Sequence, residues 1–493
     1  MYFVLHRMPP YEGSVKAAAK WETQLRKGIC EYLEEIVRLA KPTAGVFVAC
    51  DGVVCAAKRR QQRLRRFKGP WLTAEEDAIR GVVKERWDQN ALTPGTVFMS
   101  RLAHDLVATG VRLHTELGIP VIVSTTAEPG EGEHKLMAHM RGLPVGLSCT
   151  IYGLDADLLL LAMMLVVEKG GAVHLLREEQ EFEKRSGGGG WRTVDIRDLM
   201  THLFEGTSVV HIKRKTHDFV AGMTLLGNDF LPKSLTHTVR EDGIPGLIKT
   251  LEMRIWRHGK MLVVDGAIQR ESLLAVLENF AAEEVPAMTA ACVDAIKQRG
   301  RPTHADDPIE RAVAEWSAQP ARSATILALY DSGRRVLHPS WRTVYESWRG
   351  VGDPDGSRYL AGVAWVFDYY SGKPVDLSWE YEPHLPPRWS TAALACKKSL
   401  HISVVAPPLT HTTYLPDWIH LLAVLPENSA RKLLKKDQQG LITSHPQLWP
   451  REFTLFDIGS SQLWQTEAVI PIIPEAMLRG LKIDPIKSEC VRA

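Results

Sequence analysis

The stretch EPGEGEHKLM, Glu128 to Met137, crowds Glu131 and Glu133 into a glycine turn, with His134 and Lys135 directly behind. Carboxylates recur at three further points of the first half: Asp51 in VACDG, Asp155 and Asp157 in YGLDAD, and Asp229 in LLGNDFLP. Taken singly, each is most simply a helix cap or a solvated turn, where acidic residues suit the helix dipole. Brought together, they form a cluster whose members cannot all stay ionised without cations. Oxygen donors with no competing Cys or His set select hard Mg²⁺ or Mn²⁺. Two such ions about 4 Å apart are equipped to hydrolyse a phosphodiester.

A second constituent is basic. KRRQQRLRRFK, Lys58 to Lys68, follows Asp51 closely. Runs of like charge are usually solvated faces or targeting signals. This one stands beside a candidate acidic site and is interrupted by Gln61 and Gln62, which suits a phosphate-binding surface. Arginine offers bidentate donors to phosphate oxygens and lysine a point charge.

These residues need elements to position them. Apolar residues at helical spacing predict an amphipathic helix over Glu22 to Leu39, and further helices over Thr73 to Trp87 and Phe98 to Leu113. GVFVACDG, IPVIVS, CTIYGLDAD and VHLLRE read as strands, with LLLLAMMLVV as a buried helix after the third. The acids fall at strand ends or in the turns behind them, where open α/β sheets collect their chemistry. Strand alternating with helix predicts an α/β fold with a mostly parallel central sheet flanked by helices. RSGGGGW, Arg185 to Trp191, reads as a flexible surface loop. SLLAVLENF, CVDAIKQRG and RAVAEWSA read as helices around a loop-like RGRPTHADDP.

Composition narrows the classes. No run of about 18 apolar residues free of charge is present, which argues against a membrane span, and MYFVLHRMPPYEG lacks the features of a signal peptide. The 7 cysteines are scattered with no paired zinc spacing, which predicts free thiols in a reducing, intracellular setting, without resolving cytoplasm from nucleus. A net charge of +2 excludes no partner by itself.

At these residues the chain resembles the XRN family of 5′→3′ exoribonucleases, relatives of flap endonucleases and PIN-type nucleases. CDGVVCAAKRRQQRLRRF, TPGTVFM, EPGEGEHKLM, YGLDADLLLLAM, HLLREE and HDFVAGMTLLGNDFLP carry the likeness in order. The second half joins it through YLAGVAWVFDYYSG, LSWEYEPH, LLAVLPENS and WPREFTLFDIG. The resemblance implies a PIN/flap-nuclease-like core over 1–258, a divergent, mainly helical connection over 259–335, and a C-terminal conserved region over 336–493 that completes one catalytic unit. It implies that Asp51, Glu131, Glu133, Asp155, Asp157 and Asp229 hold two Mg²⁺ or Mn²⁺ ions. It assigns Lys58, Gln62, Arg65 and Arg66 to the 5′-monophosphate of single-stranded RNA, and His6 and Trp379 to base stacking.

One departure is visible. If His6 is the histidine of the family's first acidic motif, the motif's Asp would fall just before Met1, and Tyr2 stands at its Asn position. The intact remaining acids favour a start further upstream over a shortened chain with a weakened site. The expected activity is metal-dependent, processive 5′→3′ digestion of RNA to nucleoside 5′-monophosphates. The alternatives are a catalytically weakened RNA-binding homologue and a flap-endonuclease-like DNA nuclease.

Overall fold

The computed structural model describes residues 1–11, 14–83, 85–153, 155–179, 190–205, 209–239, 243–303, 305–399 and 401–481. After a short helix α1 (Tyr2–Leu5), the first long helix α2 spans Val15–Ala40. Ser14 caps it by accepting from the Ala17 N–H at 3.3 Å, and Lys41 ends it in the left-handed conformation at φ 50°. Strand β1 (Val46–Ala49) leads through Asp51 into α3 (Ala56–Ile79). Helix α4 (Val97–Leu117) starts on the Thr96 hydroxyl and stops at Gly118, then delivers β2 (Val121–Ser124) and α5 (Gly132–Gly142). The series continues with β3 (Cys149–Tyr152), α6 (Asp157–Lys169), β4 (Val173–Glu178), β5 (Trp191–Asp195), α7 (Ile196–Leu203), α8 (Val209–Met223) and α9 (Gly243–Arg254).

The α/β alternation stands, but the described strands do not join into one central sheet. β1 and β2 pair in parallel from Val46↔Val121 to Ala49↔Ser124. β3 pairs in parallel with β4, and β4 antiparallel with β5. Val48 of β1 and Ile151 of β3 line one cavity of about 1110 Å³ between the two pieces. Strands bond only at a spacing of about 4.8 Å, so facing edges separated by such a space stay unpaired.

Three local expectations change. The basic run and the helix expected from Thr73 are one helix, α3, which carries Pro70 in its interior. SLLAVLENF and CVDAIKQRG likewise merge into α10 (Arg270–Arg299), again with an internal proline, Pro286. Trp191 opens β5 rather than closing a loop, and stacks on Tyr32 at 6.3 Å; residues 185–189 of the expected loop lie outside the described residues.

Helix α6 is apolar around its whole circumference because both faces are covered. Leu161 and Ala162 have no exposure, and they share a core with α8, α9, α10 and the helix Ser357–Tyr370 of the C-terminal region. A second core joins α3 to the chain's end through Leu64, Phe67, Leu422, Trp449 and Ile473. Arg63 clamps that contact. Fully buried, it donates to the carbonyls of Pro471 at 3.0 Å and Ala423 at 2.6 Å, and also to that of Leu448. The basic run is therefore not a solvated face. Among the described residues no helix is long and apolar enough to cross a membrane. The described cysteines, Cys30, Cys50, Cys55, Cys149, Cys292 and Cys396, are free thiols.

Candidate active site

Parallel register brings the C-terminal ends of β1 and β2 side by side, so the turns that follow them meet. The Gly52 N–H donates to the Gly130 carbonyl at 2.8 Å, and the Gly130 N–H donates to the Val53 carbonyl at 2.7 Å. A Cβ on Gly52 would stand 1.9 Å from the Glu128 carbonyl oxygen, so only glycine allows this approach. Gly130 adopts φ 101°, a conformation that other residues rarely take. Asp51 Oδ1 accepts the Gly132 N–H at 2.7 Å, and Lys135 Nζ bonds the carbonyls of Cys50 and Thr125 at 2.8 Å each. The glycine turn thus fixes Glu131, at the N-terminus of α5, beside Asp51.

Glu131 is 3% exposed and is held from two sides. Lys58 Nζ lies 2.5 Å from its Oε2, and the Tyr369 hydroxyl donates to its Oε1 at 2.8 Å. Lys58 also reaches Asp229 Oδ2 at 2.6 Å, while Gln61 Nε2 donates to Asp229 Oδ1 at 2.9 Å. Burial opposes the charge on Lys58, but Glu131 and Asp229 override it and raise its pKa. Asp157, in the first turn of α6, accepts the Tyr370 hydroxyl at 2.8 Å. Burial raises its pKa and that hydrogen bond opposes the rise.

Glu133 shows the crowding most plainly. Burial, followed by the nearby Glu131, pushes its carboxyl up to about 8, with Lys58 opposing and Asp157 and Asp155 adding to the rise. His134 is buried, and its ring centroid lies 3.9 Å from that of Tyr369. Burial pulls the imidazole down to about 3, so it stays neutral, and Nε2 has no partner among the described residues. Such a histidine packs; it does not exchange protons near neutrality.

The 1110 Å³ cavity is lined by Asp51, Glu131, Glu133, Asp155 and Asp229 together with Lys58, Gln62 and Arg65. Asp157 is not in that wall, but it lies close enough to Glu133 to raise its pKa. Gln62 is 5% exposed, with Oε1 unpartnered among the described residues. Arg65 is exposed, and Arg66 points away to Asn90 Oδ1 at 3.3 Å. The two residues expected to stack bases lie elsewhere. His6 is exposed just beyond α1, and Trp379 is 7% exposed in the core, its ring 5.1 Å from Trp365.

Two residues escaped the sequence reading. Tyr369 and Tyr370 end the helix Ser357–Tyr370, some 200 residues downstream of the carboxylates they touch. The doubled Tyr of VFDYYSG was the available signal, but helical apolar spacing made it look like core. Phe230, next to Asp229, packs edge-on against both tyrosines and lies 5.8 Å below Lys58 Nζ.

All the donors are carboxylate oxygens, the chemistry that hard divalent cations choose. The rise in Glu133 reflects burial first and then the neighbouring charge of Glu131, which Lys58 offsets only in part. Among the described residues, however, no three Asp, Glu, His or Cys side chains converge tightly enough to ligate one ion as arranged. The donor set fits divalent cations by its chemistry, with Lys58 holding the place of positive charge between Glu131 and Asp229.

Residues 1–179 match the family model described as XRN 5'-3' exonuclease N-terminus. The 5'-3' exoribonuclease 2 of Yarrowia lipolytica is 30% identical over 314 residues, 53% of this chain and 31% of that protein. That of Candida albicans is 30% identical over 333 residues, 57% of this chain and 33% of the relative. The human 5'-3' exoribonuclease 1 is 26% identical over 522 aligned residues, which cover 91% of this chain and 30% of that protein. The chain thus spans about a third of the length of these relatives. Through its first 179 residues, the chain is similar to the XRN 5'-3' exonuclease family.

Proposed function

We propose that this chain is a 5′→3′ exoribonuclease that grips single-stranded RNA by a 5′-monophosphate and releases nucleoside 5′-monophosphates processively. The observation that carries the reading is the shared cavity: five carboxylates and three candidate phosphate donors, Lys58, Gln62 and Arg65, face one space. Asp51, Glu131, Glu133, Asp155, Asp157 and Asp229 would hold two Mg²⁺ or Mn²⁺ ions. When bound, these supply activation of water and stabilisation of the leaving oxygen. Arg65, exposed at the rim, and Gln62, on the same face one turn of reach away, orient the terminal phosphate. Lys58 offers its ammonium to the phosphate or to the acids, as charge demands. Neutral His134 is no base, and none is needed beside hard cations. Tyr369 holds Glu131 at the cavity, and Tyr370 holds Asp157 beside it.

The test is digestion of RNAs differing only at the 5′ end, monophosphate against hydroxyl, in Mg²⁺ and in Mn²⁺. Fast loss of the monophosphate RNA alone is expected; equal rates would sink the phosphate-gripping role. A second reading, an RNA-binding homologue with weakened catalysis, draws on the ion pairs that Lys58 makes with Glu131 and Asp229. It predicts RNA binding without digestion at saturating metal. Preference for branched DNA over single-stranded RNA would favour a flap-type nuclease instead.

A further inference from the structure

Helix α5 carries acids at one end and an arginine at the other: Glu131 and Glu133 at its N-terminus, Arg141 in its last turn. The Arg141 guanidinium leaves α5 and spans two other helices. Its Nε donates to Glu168 Oε2 at 2.7 Å and its Nη2 to Glu168 Oε1 at 3.3 Å, a two-pronged contact with the last turn of α6. The same Nη2 donates to the Tyr370 carbonyl at 3.0 Å. Lys169 answers from α6, donating through Nζ to the Arg141 carbonyl at 2.7 Å.

The three helices joined here are the ones that hold acids of the candidate site. α6 begins at Asp157, and the helix Ser357–Tyr370 ends in the two tyrosines whose hydroxyls meet Glu131 and Asp157. Glu131 and Asp157 lie on different helices, so no bond inside either helix can fix the spacing between them. Contacts across the helices must do so. The last four carbonyls of a helix lack partners within it, and Arg141 supplies one for Tyr370, at the helix end where a cation suits the dipole. Gly372 makes room for it: at φ 72°, a Cβ there would stand 2.3 Å from Arg141 Nη1. The Arg141 and Glu168 side chains are only 23% and 27% exposed, and a fork of this kind fixes direction as well as distance.

We propose that Arg141 is a positioning residue. By tying together α5, α6 and the helix Ser357–Tyr370, it sets the register in which Tyr369 and Tyr370 meet Glu131 and Asp157, and so the separation of those acids. This rests on the cation-site part of the exoribonuclease reading, and adds what holds two acidic helices and two tyrosines in one frame.

The test is Mn²⁺ binding to the full 493-residue chain, followed by electron paramagnetic resonance, with thermal unfolding of the same preparations. Arg141→Gln is expected to weaken Mn²⁺ binding about tenfold, the low end for groups behind metal ligands. In a chain already carrying Tyr369→Phe and Tyr370→Phe, the same substitution should add less than about twofold, because groups that act through one another are not additive. Gly372→Ala should also weaken Mn²⁺ binding, by displacing the guanidinium, and should add nothing once Arg141→Gln is present. It carries the test alone if Arg141→Gln does not fold. A lowered melting temperature with Mn²⁺ affinity unchanged overturns the inference, since a mere brace behaves that way. A full tenfold loss in the chain lacking both tyrosine hydroxyls overturns it too, because Arg141 would then act by another route. Wild-type protein that binds no Mn²⁺ overturns the cation site and this inference with it, whereas wild-type binding that every variant retains overturns the inference alone.

Discussion

The Tyr369 hydroxyl stands 2.8 Å from Glu131 Oε1, and the next residue, Tyr370, makes the same contact with Asp157 Oδ2. Two consecutive side chains at one helix end therefore hold carboxylates from two different turns of the first half. Groups behind metal ligands commonly alter metal affinity or activity by about 10–100-fold when removed. Tyr369→Phe and Tyr370→Phe keep the rings, and each is expected to weaken Mn²⁺ binding about tenfold, with a small change in melting temperature. Mn²⁺ titration followed by electron paramagnetic resonance reads the effect directly. Unchanged affinity in both variants would show that the tyrosines only fill space.

Lys58 neutralises Glu131 and Asp229 within a largely buried site. Removing one partner of a buried pair costs about 3–5 kcal/mol when the other charge is left alone. Asp229 is partly exposed, so Lys58→Met is expected to cost less, about 2–3 kcal/mol. Saturating Mn²⁺ should recover much of that loss, because divalent charge would replace the ammonium. Melting curves with and without Mn²⁺ check this, and a deficit that metal does not narrow would argue against the carboxylates as a cation site.

Gly52 allows the two acidic turns to approach, since a Cβ there would overlap the Glu128 carbonyl oxygen. Backbone cannot yield as a side-chain tip can. Gly52→Ala is expected to destabilise the fold by about 2 kcal/mol or more. RNA digestion should fall further than stability does, because the clash pushes Asp51 away from Glu131. Denaturant unfolding and digestion assays on the same preparation separate the two losses.

His237 provides a pH dependence away from the site. Its Nδ1 receives the Trp389 N–H at 3.1 Å, its ring stacks on Phe280 at 4.2 Å, and burial pulls its pKa down to about 4. A folded-state pKa below the unfolded value near 6.5 means that its contribution is complete above pH 6.5 and drains away as pH falls towards 4. The stake is at most about 3 kcal/mol. Melting temperature should fall across that window, and His237→Gln should flatten the fall. An equally steep fall in the variant would assign the acid sensitivity to other groups.

The acids, the basic run and the glycine turn were legible because the chemistry of each is local: residue type and spacing along a few positions carry it. β1, β2 and β4 were legible for the same reason, as short apolar runs between turn residues. The merging of helices at α3 and α10 was not, since Pro70 and Pro286 signal breaks that surrounding packing overrides. Nor was the fate of individual cations. Lys58, Arg63 and Arg65 lie within eight positions of one helix, yet one enters the acidic cluster, one clamps three carbonyls of the C-terminal region, and one remains exposed at the rim of the cavity.

By itself the sequence determined which functional groups are present and on which kind of element each sits. Only tertiary structure decided which of them face one another. The hydroxyls behind Glu131 and Asp157 come from residues more than two hundred positions away, and Trp379 is buried against Trp365 while Trp464 is 56% exposed. Burial and long-range contact set that difference, and neither is written in local periodicity.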